Sequence, residues 1–424
     1  MDVVYSKVLG IDVHQAILAC CMVSCNESGE LVTEKKTFKT YGQDLHELAN
    51  WAKTANLDLV IMESTGIYWY TPYQVLEKVG IRAAVVNARE VRQMEGKKTD
   101  MGDAEWLAHI GRLGVFCRSF IPEKIYRELR IPSREIIKLT DDLSAEKNRF
   151  SKILNEQIFR RNGVFSDIFG VNATIVIDGL LSGKSIEEIL NEINFNVLKK
   201  DPSEIKAAIE SGTLNESACI TLITIREHIQ FLERQIENLR SYLHEKVEQL
   251  HPESLHFLQT IPGISLDSAV QLLVELGGDD MTPFVNAERL SSWIGVCPGN
   301  NESAGKRKHG HIRKGNYYLR RILCECASAG VKTKGTTFQS KFRALRIRKN
   351  YKQALIAIVH KMVHVIFVLL KNRQCYIDPQ IDYEKESADK NARRWVKLVC
   401  ELPNWKIVAR NLSNGERFAS SNNA

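Results

Sequence analysis

A chain of 424 residues, 44% hydrophobic and 26% charged, is long enough to bury the cores of two or three globular domains. Its 58 lysines and arginines stand against 51 acids, a net +7, so only the placement of that surplus can identify a partner. Ten cysteines without a CxxC pair argue against a disulfide frame or a zinc site and for reduced thiols used as small hydrophobes. No cationic, apolar leader opens the chain, and the most apolar run, Ala354 to Leu370, is broken by His360, Lys361 and His364. It reads as a buried helix and not as a membrane span, which makes the expected location cytoplasmic. His360 and His364 lie at metal-ligand spacing, but without a carboxylate or cysteine nearby they read as packed or surface histidines.

The first domain, residues 1–118, opens with three extended runs, Val8 to Val13, Ile17 to Val23 and Leu31 to Lys39, with turn chemistry at Asn26-Glu27-Ser28-Gly29. A helix follows over Gln43 to Thr54, a buried strand over Leu57 to Met62, a helix over Tyr73 to Val79 and a strand over Arg82 to Val86. Three meandering strands followed by alternating strand and helix give an α/β mixed sheet in the order of a ribonuclease-H-like fold.

Acids occupy informative places in that order. Asp12 sits inside the first apolar strand, where an unpaired carboxylate is costly, and Glu63 ends the fourth. The stretch Lys97 to Gly111 reads as a helix capped by Thr99 or Asp100, with Asp100 and Asp103 on one side of its first turn. Taken singly, these are a strand-end turn residue, an N-cap partner and an acidic first turn. Together, the fold order brings four carboxylates to one sheet edge, a hard-oxygen cluster suited to Mg²⁺ or Mn²⁺ and to phosphodiester chemistry.

The middle, residues 119–255, is helical. Pro122 and Pro132 punctuate the exit from the first domain, and a long helix is expected from Ser133 to Arg161. Short helices fill 162–215. Leu222, Ile225, Ile229, Leu232, Ile236, Leu239, Leu243 and Leu250 then follow a three-four spacing flanked by charges, with one weak position at Lys246 or Val247. That is a coiled-coil seam, open to pairing with the Ser133 helix or between protomers.

The third domain, residues 256–376, is mostly helical. It opens with Leu258-Gln259-Thr260-Ile261-Pro262-Gly263-Ile264, a Pro-Gly turn between apolar helices in the manner of a helix-hairpin-helix, whose backbone N–H groups grip phosphate. From Gly305 to Lys349 there are fourteen lysines and arginines and one acid, Glu325, which concentrates the net charge in one block. Lys306, Arg307, Lys308, Arg313, Lys314, Asn316, Arg320 and Arg321, on a glycine-rich loop feeding a helix from Tyr317, read as a nucleic-acid backbone site. Within the loop Ser303 is a hydroxyl among cations. The polar tail, 377–424, reads as loosely ordered.

Asp12, Glu63 and Lys98-Thr99-Asp100-x-x-Asp103-Ala104 resemble the Asp-Glu-Asp-Asp signature of a transposase family of insertion sequences, related to the pilin-gene invertase. Ile261-Pro262-Gly263-Ile264 and Ser303-x-Gly305 … Lys314-Gly315-Asn316-x-x-Leu319-Arg320 are similar to that family's second domain. The resemblance implies a RuvC-like first domain in which Asp12, Glu63, Asp100 and Asp103 hold Mg²⁺ or Mn²⁺, with Lys97 and Lys98 beside a bound phosphate. It implies that Ser303 is the strand-transfer nucleophile, acting on the same phosphodiester as the carboxylates. It further implies donor and target DNA, an element-encoded guide RNA bridging them, and subunits joined through the coiled coil. Ala304 departs from the Ser or Gly usual beside that serine, which brings in Ser291 and Ser292; spacing to Lys314-Gly315-Asn316 favours Ser303. The alternative activity is a junction-selective nuclease using metal-activated water.

Overall fold

All six residues of Val8–Val13 (β1) are buried, as expected of a central strand covered on both faces. The computed structural model describes residues 3–26, 28–64, 66–87, 99–156, 167–194, 203, 206–207, 214–297, 312 and 314–401, with backbone pairing at 302–303, 306–307, 408–410 and 417–419. The chain forms two compact units, Met1–Ile121 and Pro122–Ala424.

In the first unit β1 is joined by Ile17–Cys25 (β2), Leu31–Lys39 (β3), the helix Gly42–Thr54 (α1), Leu59–Glu63 (β4), the helix Tyr70–Lys78 (α2) and Ala83–Val86 (β5). Strand order is β3-β2-β1-β4-β5: β1 pairs antiparallel with β2 and parallel with β4, and β4 pairs parallel with β5. This is the ribonuclease-H-like order. Helix α2 starts at Tyr70, three residues before its apolar pattern, because Pro72 falls in the first turn, where no intrahelical N–H donor is required.

Alternation along the strands sorts the core into two layers. Leu9, Ile11 and Val13 face α1 and α2, packing with Leu45, Leu48 and Leu76. Val8 on β1 and Leu59 and Ile61 on β4 face the opposite way, against Ala104, Leu107 and Ala108 of the helix Asp100–Leu113 (α3). Gly10 makes this contact intimate. A Cβ there would lie 2.0 Å from the Ala104 carbonyl oxygen and 2.6 Å from the Ala108 nitrogen. Gly111 meets Val8 and Ile61 in the same way. Since Ala104 lies over Gly10 and Gly111 over Val8, α3 runs antiparallel to β1 and brings its N-terminus to the end of that strand.

The second unit is helical. Lys124–Glu156 (α4) begins nine residues earlier than expected and runs through Pro132. Tyr126, Leu129, Ile136 and Ile137 are buried on both sides of the proline, and that packing outweighs the roughly 3 kcal/mol a mid-helix proline costs. The expected end at Arg161 lies outside the described residues. Val171–Leu181 (α5) and Ile186–Glu192 (α6) precede Glu216–Leu250 (α7). Most of the seam of α7 is buried within the chain, although Leu250 at its end is 40% exposed: Phe150 and Leu154 of α4 pack with Leu222, Ile225 and Ile229, and Lys147 reaches Glu233 at 2.8 Å. The C-terminal half of α4 therefore meets the N-terminal half of α7, an antiparallel pair. Val247, 1% exposed, fills the weak position of the seam.

Pro252–Gln259 (α8), Leu266–Leu276 (α9), Ala287–Ile294 (α10), Tyr317–Gly330 (α11), Thr337–Arg346 (α12) and Tyr351–Asn372 (α13) follow. Helix α9 packs on both α4 and α7, so the helical middle and the third domain form one unit. Among the described residues α13 alone has the length and apolarity of a membrane span; half of that apolar window is buried, against α8, α10, α11 and α12. The loosely ordered tail is corrected over part of its length, because Tyr383–Cys400 (α14) is a helix packed along α12. Polar contacts hold it there: Lys341 and Lys361 sit over the Tyr383 ring, and Ser340 lies at hydrogen-bond distance from Asp382.

Candidate active site

Parallel register places Ile11 of β1 beside Met62 of β4, so the next residues, Asp12 and Glu63, stand abreast on the face that α3 covers. Both are buried, at 6% and 9% exposure. Thr99 caps α3, its Oγ1 accepting from the Gly102 N–H at 3.1 Å, which sets Asp100 and Asp103 in the first turn above them. Close contact at Gly10 fixes how far that turn can stand from the strand. Asp12 thus feels the Glu63 and Asp103 carboxylates, and Asp100 lies close enough to share His14 with it.

Burial raises the Asp12 carboxyl from its ordinary value; His14 opposes the rise, and the Glu63 and Asp103 carboxylates add to it. A buried acid among like charges is relieved by a cation. Carboxylate oxygens are hard donors of the kind that suit a divalent ion, and among the described residues Asp12 and Asp100 bring theirs within 4.8 Å of each other.

His14 is the residue that sequence reasoning missed. Its Nε2 lies 3.1 Å from Asp12 Oδ2 and 3.5 Å from Asp100 Oδ1. Asp12, His14 and Asp100 each offer a donor atom within 4.8 Å of the others. The available signal was the Asp-x-His spacing, since residues two apart on an extended chain share a face.

In the second unit Ser303 belongs to the two-residue strand Glu302–Ser303 and pairs with Lys306 of the strand Lys306–Arg307. Lys97, Lys98, Lys308 and Arg313 lie outside the described residues. Ser291 is fully buried, and its Oγ has no hydrogen-bond partner among the described residues, so it offers no accessible hydroxyl; Ser292 is half-buried. Lys314 is exposed.

Gly315 and, of the expected phosphate-gripping set, Asn316, Arg321 and Gly263 have work inside the protein. A Cβ on Gly315 would come within 2.3 Å of the Ile294 carbonyl oxygen, at the end of α10. Asn316 caps α11, accepting from Leu319 N–H, while its Nδ2 donates to Glu275 Oε2 at 2.7 Å. Arg321 donates to both Asp141 oxygens, at 2.5 and 2.6 Å, and reaches Glu325 at 3.2 Å. Gly263, at φ +92°, would carry a Cβ within 2.3 Å of the Cys326 carbonyl oxygen, so its turn is seated on α11. Sequence reading also passed over Glu275. It has no exposed surface, and it accepts from Arg134 Nε at 2.7 Å and Arg134 Nη2 at 3.0 Å, with Arg130 Nε 3.4 Å away. An acid inside the apolar run Leu272-Leu273-Val274-Glu275-Leu276 was the signal for it.

No curated protein matches the chain. Solved structures that it resembles include RuvC of Thermus thermophilus, at 13% identity and a TM-score of 0.22, covering 27% of this chain and 99% of that one. The same protein in complex with a Holliday junction substrate gives 13%, 0.21, 27% and 99%. Residues 9–159 match a family of DEDD-type transposases, described as Transposase, and residues 255–343 match the Transposase IS116/IS110/IS902 family. The first match contains all four clustered carboxylates and the second contains Ser303, in that order along one polypeptide. This chain therefore belongs to the IS110 family of DEDD insertion-sequence transposases, enzymes that cut and rejoin DNA.

Proposed function

We propose that the carboxylate cluster binds Mg²⁺ and that Ser303 is the nucleophile of strand transfer, both acting on the same phosphodiester. The observation that carries the first half is the convergence of Asp12, Glu63, Asp100 and Asp103 at the N-terminus of one helix, where Asp12 is buried and feels the Glu63 and Asp103 carboxylates. The second half rests on the motif Ser303-x-Gly305 followed by Lys314-Gly315-Asn316 within the matched segment.

Serine Oγ would form a new P–O bond as the ester bond to one deoxyribose oxygen breaks, losing its proton while the departing oxygen gains one. Attack by a deoxyribose hydroxyl on the resulting phosphoserine reverses the exchange, so one ester bond is conserved throughout and the serine is regenerated. A bound divalent cation would stabilise charge developing on the phosphoryl oxygens. Exposed Lys314, with Lys306, Arg307, Lys308 and Arg313, would contact the nucleic-acid backbone. Sequence choice is assigned to an element-encoded RNA pairing with donor and target DNA, in line with a basic segment that carries charge but no recognisable base-reading pattern. A homo-oligomer is expected to assemble the active complex.

The test is covalent trapping on DNA that carries the element's ends. Wild-type protein and Ser291→Ala should each yield a protein–DNA adduct, and Ser303→Ala should yield none. Normal recombination by Ser303→Ala removes the serine from the mechanism. Cleavage by wild type to 3′-OH and 5′-phosphate ends with no protein attached would establish metal-activated water as the nucleophile.

A further inference from the structure

We infer that His14 is a direct nitrogen ligand of the metal, and that it tunes this centre toward Mn²⁺ over Mg²⁺. The inference rests on the carboxylate cluster being the metal site proposed above.

The geometry suits coordination. With metal–donor bonds of about 2.1 Å, neighbouring donors of an octahedron stand about 3.0 Å apart and opposite donors about 4.2 Å apart. His14 Nε2 lies 3.1 Å from Asp12 Oδ2 and 3.5 Å from Asp100 Oδ1. The whole set of three donors falls within 4.8 Å. A neutral imidazole presents a lone pair at one ring nitrogen, so the ring can donate electrons where a protonated one only neutralises Asp12.

The ring's position is also built into the fold. His14 follows the last residue of β1, and its backbone N–H donates to the Ile17 carbonyl at 3.0 Å, closing the hairpin into β2. The hairpin is tied to the end of β3 by Thr40, whose Oγ1 donates to the Gln15 carbonyl at 2.9 Å. Asp12 and His14 therefore leave one face of a fixed strand end, and α3 delivers Asp100 from above.

The chemistry gives selectivity. Mg²⁺ prefers an all-oxygen shell and sheds water reluctantly, whereas imidazole is a good ligand for the softer transition ions. Adding a nitrogen to the oxygen set should strengthen Mn²⁺ binding and leave Mg²⁺ nearly unaffected.

The experiment uses full-length protein and Mn²⁺ as the probe, with binding followed by electron paramagnetic resonance and ligand identity by electron spin echo envelope modulation. Wild type should show ¹⁴N modulation from a coordinated imidazole. His14→Gln should lose that modulation and about tenfold in Mn²⁺ affinity, while Mg²⁺ affinity, read by competition, changes by less than about twofold. Circular dichroism confirms that His14→Gln, altered at a half-exposed strand end, is folded. Mn²⁺ binding that depends on Asp12 but shows no ¹⁴N modulation would overturn the inference and leave the carboxylate site standing. Binding that survives Asp12→Asn would instead remove the site itself.

Discussion

Adding one methyl group at Gly10 should disable the metal centre without touching any of its ligands. The Cβ of Gly10→Ala would stand 2.0 Å from the Ala104 carbonyl oxygen and 2.6 Å from the Ala108 nitrogen, where ordinary contact needs more than 3 Å. Both neighbours are helical backbone and cannot rotate away. The helix carrying Asp100 and Asp103 must therefore retreat by about 1 Å, and overpacking of this kind costs about 1–3 kcal/mol. The upper end applies because a 14-residue helix moves as a whole. For a unit of 121 residues, about 3 kcal/mol corresponds to a fall of about 10 °C in its unfolding temperature. Displacing a positioning group by 1 Å costs on the order of 10²-fold in rate. Scanning fluorimetry with and without Mn²⁺ separates the two effects: wild type should gain stability with metal by mass action, and Gly10→Ala should be both less stable and less responsive. Gly42→Ala, where a Cβ meets nothing within 4 Å, is the matched control. Should Gly10→Ala melt like wild type and respond equally to metal, the reasoning that α3 sets the carboxylate geometry through this contact is wrong.

Glu275→Ala should destabilise the second unit by about 3–5 kcal/mol, because it strands Arg130, whose side chain is 15% exposed, and Arg134, at 35%, without their shared carboxylate. Glu275→Gln, which keeps shape and an acceptor, should cost less, and urea unfolding of Glu275→Ala within 1 kcal/mol of wild type contradicts this account. Burial acts to raise the Asp378 carboxyl, but hydrogen bonds from Thr337, Gln380 N–H and Tyr376 more than offset it and hold the group below its ordinary value of 3.8. A depressed folded-state value means stability that is present above the unfolded value and lost as pH falls through the folded one. Asp378→Asn should accordingly lower the unfolding temperature by about 2–4 °C at neutral pH, and the gap should narrow between about pH 5 and pH 3; a gap that stays constant to pH 3 refutes the assignment.

The carboxylate cluster was readable from sequence because each acid violates, or answers to, a local rule. Asp12 interrupts an apolar strand, Glu63 ends one, and Asp100 and Asp103 share a helical turn, so fold order alone brings them together. His14 breaks no local rule. A histidine after a strand is ordinary turn chemistry, and its meaning lies in a contact with Asp100, which is distant in sequence. Pro132 and α14 failed in the opposite sense, since local signals for a break and for a loose tail were outweighed by burial on both sides of the proline and by contacts of Tyr383 with Lys341 and Lys361.

The motif Lys314-Gly315-Asn316 shows most clearly what a pattern of residue types leaves undecided. Read as a sequence, a cation, a glycine and an amide before a helix describe a phosphate loop equally at every position. In the structure the glycine is there because the Ile294 carbonyl leaves no room for a Cβ, and the asparagine serves the cap of α11 and Glu275 at once. Only Lys314 presents its charge to solvent. Arg321 follows the same logic, its guanidinium already divided between Asp141 and Glu325. Residues whose polar atoms the fold has engaged should be judged by stability, and those it leaves exposed by binding. By that criterion Lys314→Ala should weaken nucleic-acid binding with little change in unfolding, and Asn316→Ala should do the reverse.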